Sequence, residues 1–124
     1  HGYMTLAHAF MKSNNVVAVK LAQDVTPGAV LAMARKLGVR AEMRANPSLA
    51  LGAADVTLQE MVEAFNTLNH EGIPVAPYAI GRIVDKKGRT VYEYRAEPQA
   101  AVIDSPTRDT VVAMMRGVSC DEAT

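Results

Sequence analysis

A polar break between two apolar helical patterns, within residues 5–21, constrains the fold more than any other stretch. Leu6 and Phe10 lie four residues apart before the break, and the same spacing returns after it from Val17. This spacing places apolar side chains on one face of a helix, where we expect them to form one buried stripe. The break at residues 13–15 reads Ser-Asn-Asn, and these side chains compete with helical hydrogen bonds, so they favour caps and turns. The stretch predicts two helices joined by a short polar corner.

The corner carries two groups suited to chemistry. Ser13 offers a hydroxyl that can both donate and accept a proton. Asn15 offers an amide that presents a donor and an acceptor to a substrate peptide group. The commoner role of Ser-Asn-Asn between helices is a C-cap followed by an N-cap, so a functional and a purely structural interpretation both stay open.

Cap residues predict where the later helices begin. Thr26 followed by Pro27 has the N-cap and N1 pattern, and Thr57 with Glu60 three positions later forms a capping box. Because that motif directs the carboxylate to backbone N–H groups, we assign Glu60 a structural role rather than that of a general base. Ser105 is expected to cap the last helix. The predicted helices span residues 7–11, 17–25, 29–37, 58–68 and 107–115.

Apolar spacing predicts which side chains face the core. In the fourth helix the expected inward set is Leu58, Met61, Val62, Phe65 and Leu68. Leu49 and Leu51 are expected to turn inward from an ordered loop at residues 40–54. The stretch after Gly117 is small and polar, so we expect it to fray.

A β-hairpin is predicted near the middle of the second half. Residues 78–84 and 90–94 are rich in β-branched and aromatic side chains, and they flank a turn that ends in Gly88. Lys86 and Lys87 are read as solvated turn residues rather than an anion site. Together the elements predict an α+β fold that is mostly helical with one hairpin.

Composition excludes several classes of partner. The 13 basic and 13 acidic residues cancel and are scattered, so no electrostatic argument supports binding to nucleic acid or to an anionic membrane. No uncharged stretch approaches the roughly 20 apolar residues that span a bilayer. Cys120 is the single cysteine, so no internal disulfide forms. His1, His8 and His70 have no partner at metal-ligand spacing, and we expect no metal or organic cofactor.

Short motifs follow one another in order along nearly the whole chain. Residues 2–22 contain Gly-Tyr-Met-Thr-Leu, then Ala-Phe-x-x-Ser-x-Asn, then Val-Ala-Val-x-Leu-Ala. Residues 56–65 read Val-Thr-x-x-Glu-Met-Val-x-Ala-Phe, and Pro-x-x-Ile at 77–80 and Val-Asp-x-x-Gly at 84–88 come later. In this order and at these intervals the sequence resembles the penicillin-binding protein transpeptidase domain around its Ser-x-Asn motif. The resemblance is greatest to the high-molecular-weight class A type, and it implies a central piece of the penicillin-binding protein/β-lactamase-like fold.

The chemistry of that family uses three motifs, and this chain contains only the second. The three are Ser-x-x-Lys, which carries the nucleophile, Ser-x-Asn and Lys-Thr-Gly. Ser13, Ser48, Ser105 and Ser119 all lack a lysine three positions later, and Lys-Thr-Gly does not occur. We therefore expect residues 1–124 to be a partial transpeptidase domain that is inactive by itself.

The resemblance also implies roles for the corner. The serine of Ser-x-x-Lys would attack the penultimate D-alanine carbonyl of a peptidoglycan stem peptide, and an amine of a second strand would resolve the acyl-enzyme. Ser13 would hydrogen-bond the missing lysine and relay a proton to the leaving group. Asn15 would bind the donor peptide's amide and help position that lysine. Stem peptides, β-lactams and the rest of the domain are the implied partners, at the extracytoplasmic face of a bacterial cell membrane.

Two other functions remain open. One is a non-catalytic interaction or structural module on the same fold, in which residues 13–15 are only a cap. The other is a serine β-lactamase or β-lactam sensor domain, although the Asp-x-x-Gly hairpin at 85–88 is more typical of biosynthetic class A proteins. Because the strands of the family's central sheet are largely missing, apolar helix faces should stay exposed and the chain should self-associate.

Overall fold

A computed structural model describes residues 2–121, with the backbone alone described for Asp121. The elements in this part of the chain are α1 Leu6–Met11, α2 Asn15–Val25, α3 Pro27–Lys36, a 3₁₀ helix Pro47–Leu51, α4 Leu58–Asn69, β1 Arg82–Val84, β2 Thr90–Glu93 and α5 Ser105–Asp121. His1, for which we expected no metal partner, lies outside the described residues. So do residues 122–124 of the tail that was expected to fray. The mostly helical α+β fold is confirmed.

The helix starts follow from local cap chemistry. The Thr26 hydroxyl accepts a hydrogen bond from the Ala29 N–H at 3.2 Å, as predicted for the start of α3. At α5 the prediction was wrong, because the cap is Asp104 rather than Ser105. The Asp104 carboxylate accepts from both the N–H and the hydroxyl of Thr107, each at 2.9 Å. A carboxylate satisfies free N–H groups at a helix start, so Ser105 is left as a residue inside the first turn.

The helix α5 continues past Gly117 to Asp121, so the predicted fraying directly after Gly117 was wrong. The reason is that α1 packs on α5 at this glycine. A Cβ atom placed on Gly117 would lie 2.6 Å from the Met11 sulfur. The absence of a side chain there permits the close approach, and the neighbouring helix supports the last turns.

The hairpin is shorter than predicted. β1 and β2 pair antiparallel with Ile83 opposite Tyr92, and an irregularity in register lies just after Ile83. The first predicted strand was to start at residue 78, but Tyr78 instead stacks on Tyr94 with ring centroids 3.9 Å apart. The turn is held by Asp85, whose carboxylate accepts from two backbone N–H groups and from the Arg89 guanidinium.

Gly72, which follows the end of α4, is in close contact with the segment that leads into α5. It has φ of +77°, and an added Cβ would collide with the carbonyl oxygen of Ile103. Its own carbonyl accepts a hydrogen bond from the Val102 N–H at 2.9 Å. A glycine is therefore needed here both for the backbone conformation and for the close approach.

Helix α4 packs through its polar side, which overturns the predicted inward face. Glu60 and Thr67 are buried, whereas Leu58 is 82% exposed and Phe65 is 50% exposed. Met61 and Val62 are exposed as well, and Leu68 is half-buried. The cause is that buried carboxylates of α4 bind donors from another part of the chain, so the helix turns its apolar stripe outward.

The small core of the described residues consists of Ala9, Ala22 and Val39. Leu6 and Phe10 were expected to be buried, but 47% and 42% of their surfaces stay exposed. Leu51 is exposed and Leu49 is half-buried, so the expected inward turn was wrong for Leu51. The expectation of exposed apolar helix faces is confirmed, and self-association stays a prediction.

Helices α2 and α3 meet at a sharp bend. Among the described helices none is long and apolar enough by itself to cross a bilayer; α2 and α3 pass that test only as a pair bent by 90°. The bend lies at Thr26, which has φ of +76°. The 3₁₀ helix packs against both α2 and α3, and together they form one wall of a groove that starts at the polar corner.

Candidate functional site

Ser13 occupies a backbone position that usually belongs to glycine. Helix α1 ends in a Schellman motif: the Ser13 N–H donates to the Phe10 carbonyl at 3.0 Å and the Asn14 N–H to the Ala9 carbonyl at 2.9 Å. In this motif the residue after the C-cap adopts the left-handed conformation, and Ser13 does so with φ of +49°. For an L-residue with a side chain this conformation costs about 1–2 kcal/mol. The corner therefore keeps a hydroxyl at an expense in stability.

Asn14 starts the next helix. Its side-chain oxygen accepts a hydrogen bond from the Val17 N–H at 3.1 Å, which is the N-cap of α2. Its side-chain amide donates to the Met4 sulfur at 3.7 Å. One residue thus closes the end of α1 with its backbone and the start of α2 with its side chain.

The structure brings the two predicted site residues to one groove. Ser13 and Asn15 are both exposed, and neither side chain is hydrogen-bonded to any described residue. Both line an open groove of about 570 Å³. Two free polar groups at one end of a concave surface are the usual arrangement of a binding site.

The rest of the groove is apolar. No ionisable side chain is among its lining residues in the described part of the chain, so no acid or base lies in the groove beside the Ser13 hydroxyl. The lining beyond the corner comes from four helices and the 3₁₀ helix: Leu6, Ala9, Phe10, Val17, Ala18, Leu21, Ala22, Val25, Val30, Ala50 and Val118. The groove can hold apolar groups, and the corner can donate and accept hydrogen bonds, but proton abstraction needs a group from elsewhere.

Glu60 is a structural carboxylate, as the capping box predicted. One oxygen accepts from the Thr57 N–H and hydroxyl, each at 2.9 Å. The other accepts from the N–H groups of Arg40 and Ala41 at 2.6 and 2.9 Å. The Thr57 and Arg40 N–H groups are the main reason that the pKa of Glu60 is lowered to about 2 from an ordinary value of 4.5. A carboxylate with all four of these contacts does not act as a base near neutral pH.

Glu63 lies one turn further along α4 and completes the contact. Its two oxygens accept from the two terminal nitrogens of Arg40, each at 3.1 Å. The hydrogen bond from Arg40 is the largest cause of a lowered pKa for Glu63. Glu60 and Glu63 together, here called the carboxylate pair, attach α4 to the segment that follows α3.

We predict that the stability of this attachment depends on pH in the acid range. A carboxylate whose pKa is lowered on folding stabilises the native state above its unfolded pKa and stops doing so as pH falls through the folded value. For Glu60 that window runs from 4.5 down to about 2. In the 124-residue chain, Glu60→Gln should lower the urea midpoint at pH 7, and the deficit relative to wild type should shrink as pH falls through that window.

The matched control is Glu97→Gln, which changes an exposed carboxylate with no hydrogen bond to a described residue. Its urea midpoint should follow wild type at every pH. The prediction fails if Glu60→Gln lowers the urea midpoint by the same amount at pH 7 and at pH 2.5. The destabilisation would then come from altered side-chain packing rather than from the lost carboxylate charge.

Two residues of this region were missed by the sequence interpretation. A cap was one interpretation of Ser-Asn-Asn, but Asn14 was not identified as the residue that caps α2, although asparagine is among the preferred N-cap residues and its place before an apolar helix was a usable signal. Arg40 gave no signal, because its partner lies 23 positions away. Among residues 2–121 no group of three His, Cys, Asp or Glu side chains comes together as a metal site.

Comparison with known proteins gives consistent matches. The family model described as "Penicillin binding protein transpeptidase domain" matches residues 1–124. Penicillin-binding protein 2D of Bacillus subtilis is 32% identical over 115 residues, which are 93% of this chain and 16% of that protein. Penicillin-binding protein 1A of Pseudomonas aeruginosa is 34% identical over 93 residues, 74% of this chain and 11% of that protein. The chain thus spans less than a fifth of the length of these relatives.

Proposed function

This chain belongs to the penicillin-binding protein transpeptidase domain family, and from that premise we propose that it supplies the Ser-x-Asn corner of a peptidoglycan D,D-transpeptidase. The observation that supports this most is at the corner itself. Ser13 and Asn15 present side chains with no described hydrogen-bond partner to one groove, and Ser13 does so from a strained backbone position. Retained strain at polar residues is typical of functional sites.

The proposed reaction is acyl transfer through a serine ester. The Oγ of a Ser-x-x-Lys serine, outside these 124 residues, bonds to the penultimate D-alanine carbonyl carbon, and the bond to the terminal D-alanine nitrogen breaks. The proton that leaves the Oγ moves to the lysine side, and Ser13 passes it on to the leaving nitrogen. Asn15 hydrogen-bonds the donor peptide's amide and helps to place the lysine. An acceptor amine then attacks the ester, which forms the cross-link and restores the serine.

Several parts of this proposal concern a longer protein. Ser-x-x-Lys and Lys-Thr-Gly are absent from residues 1–124, so we propose that this is a partial domain, inactive alone, whose partner is the remainder of the transpeptidase domain. Stem peptides and β-lactams are the proposed ligands of the whole. The proposed location is the extracytoplasmic face of a bacterial cell membrane, where such peptides occur.

A non-catalytic module on the same fold is the second candidate. It is favoured by the fact that the hydrogen bonds of the corner are those of a C-cap and an N-cap. On that proposal Ser13 and Asn15 have no reaction to serve, and the groove only packs against the rest of the domain.

Release of D-alanine separates the two candidates. The full-length protein is incubated with stem peptides that end in D-Ala-D-Ala and with an acceptor amine. We expect one D-alanine released for each new amide, and no release after pretreatment with a β-lactam. A full-length protein that releases no D-alanine and forms no amide would establish the non-catalytic module. Rapid turnover of the β-lactam itself would point to a β-lactamase.

A further inference from the structure

We propose that Asn14, the middle residue of the corner, is a positioning residue for acyl transfer, which sets Ser13 and Asn15 through the two helix ends that it closes. This inference rests on the proposed function and deepens it. Asn14 itself touches no reacting atom in the proposed reaction. Its effect passes through its two neighbours in the chain.

The first step in the argument is the conformation of Ser13. The left-handed position after a helix C-cap is favourable for glycine and unfavourable for serine. A serine there adopts φ of +49° only while its surroundings hold it. The hydrogen bond that closes the motif is donated by the next residue, from the Asn14 N–H to the carbonyl of Ala9, which is itself buried.

The second step is the start of α2. Asn14 is half-buried, and its Oδ1 accepts from the Val17 N–H at 3.1 Å. That bond fixes the direction in which α2 leaves the corner, and Asn15 is the first residue of that helix. The amide hydrogen bond to Met4 at 3.7 Å holds the other side of the same side chain.

The third step joins the two. With the cap oxygen removed, the first turn of α2 has an unsatisfied N–H and no fixed start. Ser13 and Asn15 are then no longer held in a fixed orientation relative to each other, and the Ser13 backbone can relax from its positive φ toward a negative one. A displacement of about 1 Å in a reacting group can cost roughly 10²-fold in rate. Binding of the ligand depends on many more contacts and should change less.

The test measures acylation of the full-length protein by a β-lactam, with the rate constant of the covalent step separated from the dissociation constant of the preceding complex. Asn14→Ala should slow the covalent step by about 10- to 100-fold and change the dissociation constant by less than about threefold. Asn14→Asp and Asn14→Ser both keep a capping oxygen, and both should restore the rate to within about threefold of wild type. Asp adds a charge and Ser does not, so agreement between them identifies the cap as the cause.

Thr26→Ala is the matched control. Thr26 caps the next helix through one hydroxyl contact to Ala29, also has a positive φ, and does not line the groove. Its removal should lower thermal stability as Asn14→Ala does, and it should leave the acylation rate unchanged. Equal slowing by both variants, or an unslowed Asn14→Ala, would overturn the positioning role. A wild-type full-length protein that is never acylated would overturn the proposed function and this role with it.

Discussion

A fluorescent penicillin should leave the 124-residue chain unlabelled, while the full-length protein should gain one stoichiometric adduct. The chain contains no Ser-x-x-Lys serine. The Ser13 hydroxyl has no ionisable group beside it in the groove, and a serine at its free pKa is a poor nucleophile. The Lys-Thr-Gly segment, which would pair with the ligand backbone, is absent as well. Intact masses recorded after incubation of both proteins give the comparison.

A matched control strengthens that comparison. The 124-residue chain carrying Ser13→Ala should be as free of label as the unmodified chain. An equal weak background on both chains would show that the background does not come from the Ser13 hydroxyl. A penicilloyl adduct of one per molecule on the isolated chain would mean that the nucleophile lies within residues 1–124. In that case the proposed division of the three motifs is wrong.

The second large effect is expected from the corner in the full-length protein. Ser13→Ala should lower the acylation rate constant by about 10²–10⁴-fold with little change in non-covalent binding, because a proton relay acts in the transition state. Asn15→Ala should weaken both rate and binding, since in the proposed role its amide hydrogen-bonds the ligand in the ground state too. Stopped-flow acylation with a chromogenic β-lactam measures both quantities.

Ser13→Gly gives this prediction a distinctive control. This substitution also removes the hydroxyl, so the variant should be acylated as slowly as Ser13→Ala. Because glycine suits the left-handed position, it should raise the free energy of unfolding by about 1 kcal/mol, whereas Ser13→Ala keeps the strain. Ser119→Ala, at an exposed serine whose hydroxyl donates to the Arg116 carbonyl, should change neither property. Near-wild-type acylation by both Ser13 variants would reduce the corner to a helix cap.

The sequence was most informative where the chemistry is local. The Thr57 to Glu60 capping box spans four residues, and the structure forms it as predicted. The Ser13 corner was likewise visible from its polar residues between apolar helices. Their assignment as site residues stays a prediction.

The failures have a common physical cause, which is contact between distant parts of the chain. The apolar spacing of α4 predicted an inward-facing apolar stripe. Instead Arg40 pairs with Glu63, 23 positions later in the chain, so the polar face of the helix is buried and the apolar stripe is exposed. In the same way Met11 supports α5 beyond Gly117. No pattern within a window of a few residues contains such pairs. Asn14 is different, because its signal was local: a cap was predicted for residues 13–15, but the spacing of Ser-x-Asn drew attention to the two neighbours of Asn14.

The polar attachment of α4 has a consequence for the heat capacity of unfolding. Separation of α4 from the segment after α3 exposes the buried carboxylates of Glu60 and Glu63 and the backbone N–H groups bound to Glu60, and polar exposure lowers the heat capacity whereas apolar exposure raises it. Apolar contacts weaken on cooling. The contact made by Glu60, Glu63 and Arg40 is polar, so it does not weaken on cooling in this way. In the cold, therefore, the apolar packing of α1 on α5 should loosen before α4 leaves its place.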